Sequence, residues 1–528
     1  MRDFHYPGRS PVFATNAMVA TSHPLAAQEA LNVLKEGGNA VDAAIAGAVL
    51  LGVCEPQMTG LAGDVFALVK PSASDNIVAL NGSGRAPAAA NADDLRVEGL
   101  TRIEPGHQAS VTIPGAVDGF VALSERFGRL GLDRAFAPAI HYFEEGVPIA
   151  PRVASDIAPI PGTFNAAARA HYLNEGTSYR LGDVFTLPAQ AEVLRRIAKD
   201  GRDAFYTGEI AEDMLTALTE AGGCHTADDF AATKATWSDT ISGQYRGRTL
   251  FEHPPNGQGA IALLIAGILS EFDLGSLDPN GVERFHLEAE ATRLAYDARN
   301  RFLADPDHMS RLDHLVSPKS AQRLARLIDP KRARSDVAAL TEDVHKDTVL
   351  ITVVDKDGMG VSLIYSIFAT FGSGLATDKF GLLLHNRGSG FNLIPGHPNE
   401  YAPGKRPMHT IIPAMSGPGD AVDMVFGVMG GQYQACGHAH FLSNIVDFGM
   451  DLQEAIDAPR AFADPQSGKL NLERTIHPDV ARALADMGHD VAEPATAIGG
   501  AQAIRIDPAR GILIGASDPR KDGLAVGY

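Results

Sequence analysis

Cysteine is scarce. Cys54, Cys224 and Cys436 are the only three in 528 residues, too few and too widely spaced for a disulfide framework, and no CxxC pair marks a thiolate metal site or redox motif. Positive charge is scarce too. Lys and Arg number 45 against 64 Asp and Glu, a formal charge of −19. Without an excess of cations to displace counterions, the chain is not expected to bind nucleic acid. A few local arginines still suffice to hold one small anion. Long hydrophobic runs are missing: the longest, AVDAAIAGAVLLGV, is broken by Asp42 and too short to span a bilayer. The opening residues, MRDFHYPGRSPVFATN, carry no apolar signal region, so the expectation is a cytoplasmic protein with no membrane attachment. Common catalytic signatures are absent as well. There is no GxSxG elbow and no HExxH. HPPNGQG lacks the Lys and Ser/Thr of a phosphate loop, and GSGRAP opens no GxGxxG helix. Neither a metal nor another cofactor is expected.

What is present is a globular composition, 45% hydrophobic and 21% charged, in a chain long enough to bury a large core. HPLAAQEALNVLKEGGNAVDAAIAGAVLLGV reads as two helices. The first has Ala27, Leu31 and Leu34 on one face and ends at Gly37-Gly38. The second begins near Ala40 and is apolar all round, hence buried. DVFALVK and NIVALNGSGRAP read as strand, turn and strand. Residues 115–245 are helix-rich and punctuated by proline. GQYRGRTLFEHPPNGQG is a strand ending in a Pro/Gly loop. VERFHLEAEATRLAYDARNRFL is a helix with Leu287, Ala291, Leu294, Ala295, Ala298 and Phe302 on one stripe. From Thr348 strands dominate: the hairpin TVLITVVDKDGMGVSLIYSIF, then FGLLLHN, TIIPAMSG and AVDMVFGVMGG, a helix over about Gln432–Phe448, and the hairpin AQAIRIDPARGILIGASDP. No flexible linker divides the two textures, so one interleaved α/β body with stacked sheets is expected.

Three features carry chemistry. VMGGQYQACGHAHFL runs a strand through Gly430-Gly431 into a helix. Glycines allow close backbone approach, and the first helical N–H groups are unpaired, so the turn suits an anion or oxyanion; it equally suits a plain tight turn. His438 and His440 are spaced by two on a helix, which puts them on nearly opposite faces and excludes joint chelation from there. Thr348 opens an apolar strand, where a β-branched residue is ordinary.

In order along nearly the whole chain, GGNAVDAAIA, GLAGDVFALV, VTIPGAVDGF, HLEAEATRLAYDARNRFLADPD, DTVLITVVDKDG, TFGSGLATDKFGLLLHN, PGKRPMHTIIPAM, VMGGQ and GASDPRKDGLAVGY resemble the gamma-glutamyltransferase family of self-processing N-terminal-nucleophile hydrolases. The resemblance implies a four-layer αββα sandwich of the α/β class made as one inactive precursor. It implies cleavage between Asp347 and Thr348, into a large subunit of residues 1–347 and a small one of 348–528 that stay together as one unit. Cleavage would turn the amide nitrogen of Thr348 into an α-amine that takes the proton of its own hydroxyl. The family's oxyanion hole falls on Gly430 and Gly431, and Ser366 takes the place of a threonine beside the nucleophile.

The positions that hold a gamma-glutamyl group depart from the family. Arg387 and Gly390 stand where Glu or Gln and Asp would bind an α-ammonium, and Phe368 replaces an Asn. His409 and Thr410 replace paired serines, and Ser83 replaces an Arg, with Arg85 two residues on. The expected substrate is therefore a small amide whose acyl part carries a carboxylate and no ammonium, bound through Arg85 or Arg387 with His409 and Thr410 nearby, unless those arginines serve structural salt bridges. NRGSGF and GKRPMHTIIPAM resemble the branch that holds oxamate amidohydrolases and cephalosporin-acylase-like proteins. The alternatives are a glutathione hydrolase or gamma-glutamyltransferase with a rearranged pocket, and a catalytically silent binding protein on the same scaffold. The reading leaves room for a homo-oligomer.

Overall fold

Alternating burial is replaced by continuous burial in the strands around Thr348: every residue of Val349–Val354 and Gly360–Ser366 is buried. Such strands need cover on both faces, and the architecture supplies it. The computed structural model describes residues 8–334 and 348–528, apart from residues 73 and 75, together with His5. Two seven-stranded sheets are stacked. In space, the first runs Leu524–Gly527, Met18–Thr21, Val349–Val354, Gly360–Ser366, Asp64–Lys70, Val78–Gly82, Thr236–Asp239. The second runs Val12–Ala14, Ile512–Ser517, Gly500–Asp507, Met424–Met429, Ala414–Pro418, Arg248–Glu252, Ile241–Tyr245. All neighbours in both are antiparallel. Each sheet mixes strands from before and after Thr348.

Helices cover the outer faces. Pro24–Lys35, Ala40–Cys54, Ala116–Phe127 and Leu132–Glu145 pack with Val349, Ile351 and Val353 on the first sheet. Gly259–Leu269, Val282–Phe302 and Gln434–Val446 pack with Phe426, Val428 and Ala503 on the second. This is the αββα sandwich expected. The all-apolar helix is Ala40–Cys54, buried at every position and opened by an Asn39–Asp42 capping box. The prolines that punctuate the chain start helices: Pro24, Pro151, Pro188, Pro318 and Pro478 all occupy a first helical turn, where no N–H is missed. Two expected strands are not regular strands. FGLLLHN sends its backbone amides to separate segments, Leu384 to Leu375, His385 to Ala62 and Asn386 to Ile367. In TIIPAMSG the strand begins only at Ala414. The helix after the double glycine is Gln434–Val446, preceded by a 3₁₀ turn at Gly431–Tyr433. Among the described residues no helix is long and apolar enough to cross a membrane.

The packing between the sheets fixes their relative register. Val354 shares a cluster with Val425, and Gly360, paired with Val354, closely approaches the Val425 side chain. Further along, Leu350 lies against Gly427 and packs with Met429, Phe66, Ile364 and Ile411. Leu350→Ala is expected to lower stability by about 2–5 kcal/mol, the cost of a large-to-small change in a tight core. The midpoint of urea unfolding measures it, and a loss below about 1 kcal/mol would contradict this packing.

Candidate active site

Residues two apart on a strand share a face. Leu350 points between the sheets, so Thr348 does too. The inward residues of the facing strand advance in step, Val425 by Val354 and Gly427 with Met429 by Leu350. Continued by one level, that register points Thr348 toward the Gly430-Gly431 turn. Thr348 is 1% exposed. Asp347 and the rest of the expected cleavage segment lie outside the described residues.

Across the first sheet the same face carries Thr348, Ser366 and Asp64 in a row. Val349 pairs with Tyr365, which puts Thr348 beside Ser366, and Ser366 pairs with Asp64. The Thr348 and Ser366 hydroxyl oxygens are 3.4 Å apart, and the Phe368 amide donates to Ser366 Oγ at 2.9 Å. Two strand spacings separate Thr348 from Asp64, about 10 Å between Cα atoms. On the opposing turn, Gly430 has φ 128° and Gly431 φ 54°. A Cβ on Gly430 would lie 2.8 Å from the Gly499 Cα, so the turn tolerates only glycine there.

Asp64 organises the far end of the row. It is wholly buried. The Gly84 amide donates to Oδ1 at 3.1 Å, and His409 Nε2 at 3.1 Å and Arg387 Nε at 3.3 Å donate to Oδ2; His385 Nδ1 lies 3.1 Å from Oδ2 without hydrogen-bond geometry. The protein's own donors thus engage both oxygens of the carboxylate. Burial alone pushes its carboxyl up, but His385 and His409 together outweigh that and hold it well below the usual range. His409 is depressed to about 3, by burial first and then by Arg387, so it stands neutral and donates from Nε2 while Nδ1 accepts from the Ile411 amide at 3.3 Å. Arg387, also wholly buried, is lowered to about 10 by burial against the attraction of Asp64, and stays charged at neutral pH. Its Nη1 donates to Thr410 Oγ1 at 3.1 Å, and its plane lies 4.0 Å over the Phe368 ring. Phe368 itself is held at φ 78°, a strained conformation for a bulky residue. Arg387 Nη2 is buried with no acceptor among the described residues.

The structure brings Thr348 beside Ser366, and Arg387 beside Thr410 with His409 on the same Asp64 carboxylate; Gly430 and Gly431 form the turn that ends the facing strand Met424–Met429. Arg85 takes no part in the Asp64 cluster: its Nη1 pairs with buried Asp305 at 3.2 Å and with the Gly404 carbonyl at 2.9 Å. Sequence reasoning missed Asp64 and His385. An acidic residue heading the apolar run DVFALVK was the available signal. His438 and His440 are core residues on different partners, Glu252 at 2.7 Å and Glu288 at 3.1 Å. Among the described residues one group has metal-ligand spacing, His286, Glu290 and His489. It is closed by its own contacts: His286 and His489 are hydrogen-bonded at 2.8 Å, and Glu290 takes Arg293 at 3.0 Å.

Comparisons with known proteins agree with this fold. A family model described as gamma-glutamyltranspeptidase matches residues 26–528. The chain is 35% identical to the oxamate amidohydrolase proenzyme of Klebsiella pneumoniae, covering 98% of this chain and 99% of the relative. It is 33% identical to the glutathione hydrolase-like YwrD proenzyme of Bacillus subtilis, again over 98% and 99%. The crystal structure of cephalosporin acylase from Bacillus halodurans superposes with a TM-score of 0.92 at 36% identity, over 100% of this chain and 99% of that one.

The Asp64 cluster makes stability pH-dependent. The folded protein protonates His409 only near pH 3, whereas an unfolded histidine takes a proton near 6.5. The contribution of this site is full above pH 6.5 and falls as the pH drops toward 3; that of Asp64 persists down to the carboxylate range. His409→Gln is expected to flatten the pH dependence of unfolding free energy between about pH 6 and 4 by up to one proton, about 1.4 kcal/mol per pH unit. An unchanged slope would contradict a neutral, buried His409.

Proposed function

The chain belongs to the gamma-glutamyltranspeptidase family of hydrolases, and from that premise we propose that it is a self-processing amidohydrolase that cleaves a small carboxylated amide through an acyl-enzyme on Thr348. The supporting observation is the Arg387 Nη2 donor, buried with no acceptor among the described residues, beside an Asp64 carboxylate already engaged by three of the protein's own donors. An incoming carboxylate completes the guanidinium. An incoming α-ammonium meets the Arg387 cation and an Asp64 already engaged by Arg387, His409 and the Gly84 amide, and burying an ammonium without a partner costs about 3–5 kcal/mol. The relative named oxamate amidohydrolase fits this choice, since oxamate is a short amide ending in a carboxylate. The span of about 10 Å between the Cα atoms of Thr348 and Asp64 leaves room for one small molecule between Thr348 and the guanidinium that Asp64 holds.

The reaction begins with the chain itself. Thr348 Oγ1 attacks the carbonyl carbon of Asp347, the peptide nitrogen leaves as the α-amine of Thr348, and water hydrolyses the resulting ester. Fragments of residues 1–347 and 348–528 result and stay interleaved, because both sheets mix strands from the two. Both relatives carry the word proenzyme in their names, which supports such processing. The new α-amine, with a pKa near 8, takes the hydroxyl proton of Thr348 as the oxygen attacks the substrate amide. Ser366 steadies that oxygen. The amides of Gly430 and Gly431 receive the developing oxyanion, worth roughly 3 kcal/mol each. The protonated amine then returns its proton to the departing nitrogen, and water releases the acid. Arg387 and Thr410 hold the carboxylate of the acyl part, with His409 keeping Asp64 in place behind them.

Thr348→Ala is expected to stay one band on a denaturing gel and to show no turnover, while the parent gives bands near two thirds and one third of the chain. Arg387→Met, in processed form, is expected to raise KM for oxamate-like amides by about 30-fold or more, as for removal of one partner of a buried charge contact. An equal KM, or efficient turnover of a gamma-glutamyl anilide with little from carboxylated amides, would overturn the substrate reading.

A further inference from the structure

The loop HPPNGQG, residues 253–259, has no role in phosphate binding and none in the chemistry above. The structure gives it another task. Asn256 accepts the His409 amide on its carbonyl at 2.8 Å and donates its side-chain amide to the Pro407 carbonyl at 2.6 Å. The Gln258 amide donates to the His409 carbonyl at 3.0 Å. The Gln258 side chain, fully buried, reaches further: Nε2 donates to the Thr410 carbonyl at 2.9 Å and to the Gly431 carbonyl at 3.1 Å. One side-chain amide therefore joins the strap that carries His409 and Thr410 to the double-glycine turn. Gln258 is itself held, because Arg299 Nη1 donates to its Oε1 at 3.1 Å. Arg299 also donates to the Gln432 side chain, one residue past the turn, and lies 4.4 Å over the Tyr296 ring; the Tyr296 hydroxyl donates to the Gln432 carbonyl.

We infer that Gln258, braced by Arg299, is a positioning residue that aims the Gly430 and Gly431 amides at the oxyanion and locks that aim to the Thr410–Arg387 end of the pocket. This rests on the assignment of Thr348 as nucleophile. The physical reason is backbone restraint. The Gly431 carbonyl shares its peptide plane with the Gln432 amide, directly after the two glycine amides, and both glycines have positive φ and no side chain to restrain them. A donor on that carbonyl anchors the far end of the turn and so limits its rotation. Both carbonyls that Nε2 satisfies are buried, so the amide also avoids leaving them unpaired. Oxyanion donors act only when held about 2.7–3.1 Å from the developing charge, so a small rotation lowers the rate with little effect on ground-state binding.

The test uses processed Gln258→Glu, which places an oxygen against both carbonyls, and processed Arg299→Lys, a milder change that loosens Gln258 while keeping a cation. Rates are expressed per active site, titrated by the acyl burst, so that misfolded protein does not count. The probe is a small boronic acid bearing a carboxylate, which adds to the nucleophile and presents a tetrahedral anion to the turn. Gln258→Glu is expected to lower kcat per site by about 10–100-fold and to weaken boronate inhibition by the same factor. Arg299→Lys is expected to follow by about 3–10-fold. KM is expected to change less than kcat in both. Turnover and inhibition within twofold of the parent in both variants overturn the inference, as does a loss confined to KM. Failure of the boronate to inhibit the parent would count against Thr348 as nucleophile, which separates the two claims.

Discussion

A carboxylate withdrawn from water must be ringed by donors or it will not stay ionised, and Asp64 meets that demand by drawing together segments remote in sequence. The Gly84 amide, the Arg387 guanidinium and the His409 imidazole donate to its two oxygens, and the His385 imidazole lies 3.1 Å away. The loop after Val78–Gly82, the 3₁₀ turn at Arg387–Gly390 and the strap before Ala414–Pro418 are thereby pinned to one strand end. Beside this cluster, Arg387 Nη2 is a buried donor with no acceptor among the described residues. The proposed recognition of an anion rests on that donor.

The second constraint is mechanical. Leu350 wedged against Gly427 and Met429 sets the level of one sheet against the other. Thr348 and the double-glycine turn extend strands of different sheets, so their relation depends on core packing rather than on a flexible loop. Phe368, strained at positive φ, connects the two constraints: its amide donates to Ser366 beside Thr348, and its ring carries Arg387.

Elements with strong local signals were legible in the sequence. The hairpin through Lys356-Asp357-Gly358, the all-apolar helix after Asn39 and the strand-glycine-helix turn at 430–431 follow from periodicity and turn chemistry. The resemblance to a family singled out Thr348, Gly430 and Gly431, and it flagged Arg387 as one of several departures at the substrate positions. FGLLLHN misled because its apolar side chains are buried while its amides bond to separate segments instead of one ladder, and composition does not distinguish the two. Asp64 was hidden because its meaning lies in partners more than 300 residues away. HPPNGQG read only as a failed phosphate loop, since nothing local tells that Gln258 reaches the Gly431 carbonyl. Arg85 and Arg387 were equivalent on paper; both are ion-paired, and what separates them is that Arg85 is partly exposed on Asp305 while Arg387 is buried on Asp64 with a donor left over among the described residues.

All of this turns on Thr348 acting as a chain terminus that carries the acyl group. The most direct measurement is the mass of the fragments caught by acid quench during turnover of a slow carboxylated amide, followed by peptide mapping. The account predicts a fragment that begins at Thr348, heavier by the acyl group, with the added mass on its first residue. An adduct on any other residue, or an acylated chain still uncut between residues 347 and 348, would contradict it.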